Sequence, residues 1–347
     1  MKIKKMCRAI TDNLHIECKN LTNSYMMKVE GFVYPLKLWR FGTLNQDKII
    51  YFITDVTSKR AGTFAIYLVI LNDLSYAKAM NWIPVIDDTS GLLRRLAIKG
   101  KKGGNFINDI FDFQNEISVS EVLKSQNVMF CNTARRINML RVTNKMDEMY
   151  KVRLKNFFDV EEKELAYWRK FAHNNLRFKK NIQKELDIAY ETVIQGKKDI
   201  LAVAVREGKM SLNEKTRKKA GEQRQPSINE IIKICKRYSK KWNYSYIFLS
   251  CETPETIQKF QKEFSEEKIL FLNRYRFPMK ELKKIKSFKG GDRFYNSTSN
   301  IDNYDLDYIK EMYILSKGDY LVTAINCGAE AAYVMSAGFK DQYIIRK

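Results

Sequence analysis

Three short polar segments carry the chemistry for which this sequence can be read. Arg206 follows the apolar run Ile200–Val205, Ser250-Cys251-Glu252 follows Tyr246–Leu249, and Asn326-Cys327-Gly328 lies just past Tyr320–Thr323. Each run has the length and the β-branched or aromatic content of a buried strand. In open α/β sheets, ligands bind at the carboxyl ends of strands. A guanidinium there grips a diphosphate through two parallel hydrogen bonds. A helix N-terminus with a close-approaching Gly presents backbone N–H groups to phosphate. A carboxylate accepts from base or ribose donors. Each segment also has a plainer reading. Arg206 could be a surface cation, Glu252 a first-turn acid favoured by the helix dipole, and Asn326-Cys327-Gly328 an ordinary helix cap. There is no P-loop, and no G-x-G-x-x-G follows a strand.

The elements that must hold these residues read as alternating strands and helices. Ile49–Ile53 predicts a strand, Thr54–Gly62 a loop, Thr63–Met80 a helix and Trp82–Ile86 a second strand ending at Asp87-Asp88, which together make a βαβ unit. Residues 1–45 predict a small β-rich lead-in, Gly91–Gly104 a loop, Asn127–Phe130 a strand, and 135–195 mostly helix, including Glu161–Tyr167 and Leu176–Tyr190. Beyond Gln195 come strand Ile200–Val205, helix Ser227–Trp242 opened by the capping box Ser227…Glu230, strand Tyr246–Leu249, helix Thr256–Phe264 and strand Lys268–Leu272. A basic loop is predicted over Lys280–Ser299, then helix Tyr304–Leu315, strand Tyr320–Thr323, helix Ala329–Ala337 and strand Tyr343–Ile345. Five strands alternating with helices predict a doubly wound parallel α/β sheet. The expected organisation is a lead-in at 1–45, an N-terminal α/β domain at 46–195 and a C-terminal Rossmann-like domain at 196–347.

Composition bounds the function. The 347 residues hold 62 Lys+Arg against 40 Asp+Glu, a net charge of +22, with 45% hydrophobic residues. That is globular, with a basic surface that suits nucleic acid, an anionic membrane face or an anionic substrate. No recognition-helix, zinc-finger or RRM signature accompanies the charge. Two histidines argue against a zinc hydrolase built on several His ligands and weaken a Ser–His–Asp reading. Six cysteines without a C-x-x-C pair read as buried free thiols in a reducing compartment. No run is long and apolar enough for a leader or a bilayer crossing, so a cytoplasmic protein is expected, peripheral at most to the inner face of the plasma membrane.

The order Val203-Ala204-Val205-Arg206-Glu207-Gly208, Gly221…Gln225-Pro226-Ser227, Tyr246–Glu252, and Leu315-Ser316-Lys317-Gly318-Asp319-Tyr320-Leu321-Val322 running into Asn326-Cys327-Gly328 and Met335-Ser336-Ala337-Gly338 resembles the fucosyltransferase-type GT-B glycosyltransferases. Closest in pattern are bacterial members from cell-surface polysaccharide clusters. Gly62-Thr63-Phe64, Leu71–Ala77 and Asn81–Asp87 extend the resemblance into the first domain, so that it covers roughly 48–345. It implies two Rossmann-like domains facing across a cleft, with a nucleotide-sugar donor, GDP-fucose in characterised relatives, as substrate and no cofactor. By position Arg206 takes the diphosphate, Glu252 faces the nucleoside, and Asn326 and Cys327 touch phosphate, with Ser250 and Gly328 beside them. Gly62, Thr63 and Asp87 border the cleft from the N-terminal side. Such enzymes need no metal, because the Arg and backbone donors stabilise the leaving group. Lys209 and Glu222 replace the Asp and His common in bacterial relatives, and Asn326-Cys327 replaces a hydroxyl pair.

A general base must face the acceptor hydroxyl. Glu207, Glu222, Asp87 and Asp88 are candidates, and all four could equally be solvated loop carboxylates. Asp305-Leu306-Asp307 is a D-x-D, but its place in a predicted helix makes it a solvated face. The expectation is thus a metal-independent inverting transferase acting on a glycan or lipid-linked glycan acceptor, with possible contact to an anionic membrane and no nucleic acid. A nucleotide-binding relative without turnover and a basic nucleic-acid binder are the rivals.

Overall fold

A three-stranded parallel sheet begins the fold. The computed structural model describes residues 38–53, 63–87, 106–131, 157–207, 225–285 and 304–346. Strand β1 (Ile50–Ile53), helix α1 (Thr63–Ala79) and strand β2 (Ile83–Ile86) form the expected βαβ unit. Short helices α2 (Phe106–Ile110) and α3 (Val119–Val122) lead to β3 (Val128–Phe130), and the strand order is β2-β1-β3. Residues 38–45, the described end of the predicted lead-in, run beside this sheet, with Trp39 antiparallel to Val128. The strands are apolar because helices and aromatic side chains enclose them: Ile50, Tyr51, Ile53 and Val128 are fully buried.

A 3-10 turn (Phe157–Asp159) and helices α4 (Glu162–Asn175) and α5 (Lys180–Ile194) follow. Helix α5 starts later than its apolar spacing predicts. The stretch before it is held extended, with Asp112 N–H donating to Arg177 O at 2.7 Å and Lys179 N–H to Ile110 O at 3.0 Å. That pairing is tertiary and overrides local helix preference.

The remaining strands are β4 (Ile200–Ala204), β5 (Tyr246–Ser250), β6 (Ile269–Leu270), β7 (Tyr320–Ala324) and β8 (Asp341–Ile345). They form one parallel sheet of order β6-β5-β4-β7-β8. The connecting helices are α6 (Ile228–Trp242), α7 (Pro254–Phe264), α8 (Met279–Ile285), α9 (Tyr304–Leu315) and α10 (Cys327–Met335). The Ser227–Glu230 capping box is present in both directions. Helix α8 replaces the start of the loop predicted at Lys280–Ser299. Pro278 precedes it, its carbonyl accepts from Glu281 and Leu282, and Leu282 is buried, so an apolar anchor turns this basic segment into helix. Residues 286–299 lie outside the described ones.

Alternate residues of the sheet face opposite layers. Leu201, Val203, Ile247, Leu249 and Val322 pack with Ile231, Cys235 and Trp242 of α6 and Ile257 and Phe260 of α7. Burying each such side chain contributes roughly 1.5–3 kcal/mol. On the other face α9 packs on β4 and β5, α10 packs on α9, and α1 packs on α10 and on the first sheet. The protein is therefore α/β, with two parallel sheets joined through a helical layer made by α1, α9 and α10.

Candidate functional site

Strand β4 lies between β5 and β7, and the chain leaves it first toward β5 and β6 and later toward β7 and β8. The order reverses there, and in open α/β sheets the ligand crevice lies outside the carboxyl ends of the strands at such a switch point. The residues singled out by sequence stand at this switch point: Arg206 and Glu207 after β4, Glu252 after β5, and Asn326, Cys327 and Gly328 after β7.

The Arg206 guanidinium is ion-paired through Nη1 to Glu252 Oε1. The Arg206 side chain is 32% exposed and that of Glu252 8%. Burial works against the Arg206 charge, but Glu252, Tyr308, Tyr304 and Cys327 favour it and its pKa is raised. A guanidinium has five N–H donors, and among the described residues Arg206 donates only to Glu252. Among the described residues this leaves the other donors for the oxygens of an anion.

Glu207 has a different task. It is 1% exposed, and its Oε2 accepts the backbone N–H groups of Glu252 and Thr253 at 2.7 and 2.8 Å. Its Oε1 accepts the hydroxyls of Thr253 and Thr256. Burial raises its pKa, opposed by those hydroxyl bonds. A carboxylate with both oxygens occupied fastens the end of β4 to the start of α7. This corrects the proton-acceptor reading of Glu207, because no acceptor hydroxyl can displace four protein donors cheaply.

On the other side of the switch, Asn326 caps α10 by accepting from Ala329 N–H at 2.9 Å, while its amide donates to Ala324 O at 2.9 Å. Its oxygen thus caps its own helix, as the plain capping reading predicts, and its amide is tied to the end of β7. Cys327 is exposed at the first helical position, which corrects for this residue the expectation of buried thiols that Cys131, Cys235 and Cys251 meet. Gly328 is there for contact: a Cβ would stand 2.2 Å from Tyr308 Oη. Tyr308 of α9 thereby lies directly under the start of α10. Burial pushes the Tyr308 phenol up to about 12, partly offset by Arg206.

Ser250 and three residues without an assigned role in the sequence reading form the floor. Ser250 Oγ donates to Glu311 Oε2 at 2.9 Å, and Glu311 is fully buried between Arg274 (2.8 Å) and Arg276 (2.7 Å). Arg274 also donates to Cys251 O at 3.0 Å and stacks over Tyr304 at 5.5 Å. The structure commits Ser250 to this network. The alternation Arg274-Tyr275-Arg276-Phe277 just past β6 is the signal that would have found the two cations.

Across from the crevice, Thr63 opens α1 and donates to Asp305 Oδ1 at 3.1 Å. The reading of Asp305-Leu306-Asp307 as a solvated face is corrected here. Asp305 is partly buried and its pKa is raised to about 6 by burial, with the Thr63 bond opposing. Asp307 turns to Lys310 at 3.7 Å. Asp87 is buried at the end of β2, its N–H donating to Ile53 O at 2.9 Å. Gln225 donates to Ile325 O at 3.1 Å, tying the start of the α6 segment to the end of β7. Gly62, Asp88, Lys209 and Glu222 lie outside the described residues.

No family model matches the chain, and no curated protein matches it in sequence. Solved structures with some likeness include the fucosyltransferase NodZ from Bradyrhizobium, at 12% identity, TM-score 0.45, and coverage of 82% of this chain and 92% of that one. A mutant of Arabidopsis thaliana FUT1 in complex with GDP gives 9% identity, TM-score 0.43, and 86% and 70% coverage. POFUT1 in complex with GDP gives 11%, 0.41, and 86% and 98%. The likeness is remote, and the site stands on its own residues.

Proposed function

We propose that the chain is a glycosyltransferase that binds a GDP-linked sugar, fucose by the sequence resemblance, and transfers it with inversion and without a metal to a glycan or lipid-linked glycan. The observation that carries this reading is Arg206. It is a cation at the switch point, steadied by Glu252 through one nitrogen and donating to nothing else among the described residues, with Cys327 at the start of α10 near enough to favour its charge. That combination suits the leaving diphosphate, whose developing charge needs preorganised donors. The meeting of α1 with α9 at Thr63 and Asp305 supports two α/β halves bordering a GT-B-like cleft. Among the described residues no helix is long and apolar enough to cross a membrane. The net charge of +22 suits work at the anionic cytoplasmic leaflet, as part of surface-polysaccharide or glycolipid synthesis.

Thermal unfolding with GDP, UDP, ADP and CMP, without metal, tests the donor. GDP at about 100 times its Kd stabilises by roughly 2.7 kcal/mol, and Arg206→Ala removes that gain. An unchanged GDP gain in Arg206→Ala overturns the site. The commitment of the Asn326 side chain to the cap of α10 and the end of β7 favours one second reading, a protein that binds GDP but turns over no GDP-sugar. Release of GDP from GDP-fucose separates the two.

A further inference from the structure

The carboxyl edges of the two sheets approach each other at one hydrogen bond. Helix α1 follows β1, so its first residue, Thr63, stands at the carboxyl edge of the first sheet. Helix α9 precedes β7, so its N-terminal end, with Tyr304, Asp305 and Tyr308, stands at the carboxyl edge of the second. Thr63 Oγ1 donates to Asp305 Oδ1 at 3.1 Å, and Phe64 meets the Tyr308 ring edge-on at 5.2 Å. Tyr304 and Tyr308 are also the phenols beside Arg206. Asp305 therefore sits where the halves join, next to the crevice assigned to the diphosphate.

Its surroundings differ from those of the other carboxylates at the crevice. Glu207 is saturated by four donors and Glu252 is paired to Arg206. Asp305 is partly buried and accepts one hydroxyl on Oδ1; among the described residues it has no ion-pair partner, and its Oδ2 has no hydrogen bond. From α1 the facing group is Thr63. On its own helix the neighbours are the neutral Tyr304 and Tyr308, and Asp307 is turned away to Lys310. Arg206 and Glu252 lie beyond the tyrosines and leave the titration of Asp305 to burial and Thr63. A helix N-terminal acid kept only for the helix dipole would be held anionic. Here desolvation dominates and lifts the group to about 6, close to the range in which a base works.

We propose that Asp305 is the proton acceptor of the transfer reaction, positioned by Thr63. Its carboxylate takes the proton of the acceptor hydroxyl as that oxygen bonds the anomeric carbon. The bond from that carbon to the diphosphate oxygen breaks, and its electron pair leaves with the nucleoside diphosphate held on Arg206. This rests on the glycosyl-transfer reading above.

The test uses the full chain and GDP-fucose, with water as the acceptor and released GDP as the readout. The wild-type rate rises with pH through about 6. Asp305→Asn keeps the thermal gain with GDP but loses 100-fold or more of the rate, in the range for a removed general base, and loses the pH limb. Thr63→Val keeps the carboxylate but removes the bond that lowers its pKa, so the limb moves to higher pH. Turnover by Asp305→Asn within threefold of wild type, or an unmoved limb in Thr63→Val, overturns the proposal while the transfer reading stands. A wild-type chain that binds GDP yet releases none from GDP-fucose overturns the transfer reading and the proposal with it.

Discussion

Helices α6 and α7 lie on the outer face of the larger sheet, and α1, α9 and α10 lie between the two sheets. The outer pair are one-sided. In α6 only Ile231, Ile232, Cys235 and Trp242 are buried, and Lys233, Lys236, Arg237 and Lys240 face water. In α7 the buried set is Thr256, Ile257 and Phe260. The inner helices are enclosed nearly all round. In α10 every residue from Gly328 to Val334 is buried, and α1 buries residues on all sides, Asp73 and Ser75 included. The candidate site draws its unusual contacts from this inner layer: the Tyr308 approach to Gly328, the Glu311 network and the Thr63–Asp305 bond. A helix with two packed faces can hold polar groups out of water on both, which is how their pKa values come to be displaced.

If the inner layer is the tighter one, the same kind of change costs more there. The largest effect is expected at Glu311. Glu311→Ala strands Arg274 and Arg276, whose side chains are 2% and 5% exposed. The cost is about 3–5 kcal/mol, read by urea unfolding. Exchanging all three residues for apolar ones of similar volume recovers most of it. A loss below 1 kcal/mol would end the distinction between layers.

Next comes Gly328→Ala, whose Cβ would meet Tyr308 Oη at 2.2 Å and Met312 Sδ at 3.1 Å. Overpacking of that kind costs about 1–3 kcal/mol. Tyr308→Phe in the same chain removes the closest atom, so the double variant is more stable than the sum of the singles. Additive losses would mean that the helices are not held at this contact.

Glu330 of α10 sharpens the electrostatic side. Its Oε2 accepts from Phe157 N–H at 3.3 Å, and burial raises its pKa from 4.5 to about 7. The folded state binds the proton more tightly than the unfolded chain, so stability is highest below about 4.5 and falls as pH rises to about 7. Glu330→Gln keeps an acceptor and removes the ionisation. It is expected to stabilise the protein by about 1–2 kcal/mol at pH 8 and to do little at pH 4, measured by unfolding at both. Equal effects at the two values would show that Glu330 titrates normally.

The smallest effect belongs to the outer layer. Ser227→Ala removes the hydroxyl half of the capping box of α6, at a cost of about 1 kcal/mol. A cost above that of Gly328→Ala would invert the comparison.

Much of the fold is legible because its signals are local. The apolar runs at 50–53, 83–86, 200–204, 246–250 and 320–324 are strands, and Ser227 with Glu230 marks the start of α6. The positions of Arg206, Glu252 and Asn326 follow from strand ends alone. Their employment does not. Glu207 and Glu252 are both carboxylates close to strand ends, yet one is sealed by Thr253 and Thr256 and the other pairs with Arg206. Asp305 and Asp307 look alike in a helical register, but only Asp305 meets Thr63.

By itself, then, the sequence determined the strands, the capping box of α6 and the alternation of strand with helix, since each depends on residues a few positions apart. Which carboxylates are spent on backbone donors, which pair with a cation and where α9 meets α1 were decided only by the tertiary structure. Thr63 and Asp305 are 242 residues apart, as Ser250 and Glu311 are 61 apart. The state of a charged side chain follows from what lies opposite it and how much water is excluded, and neither quantity is written in its neighbours along the chain.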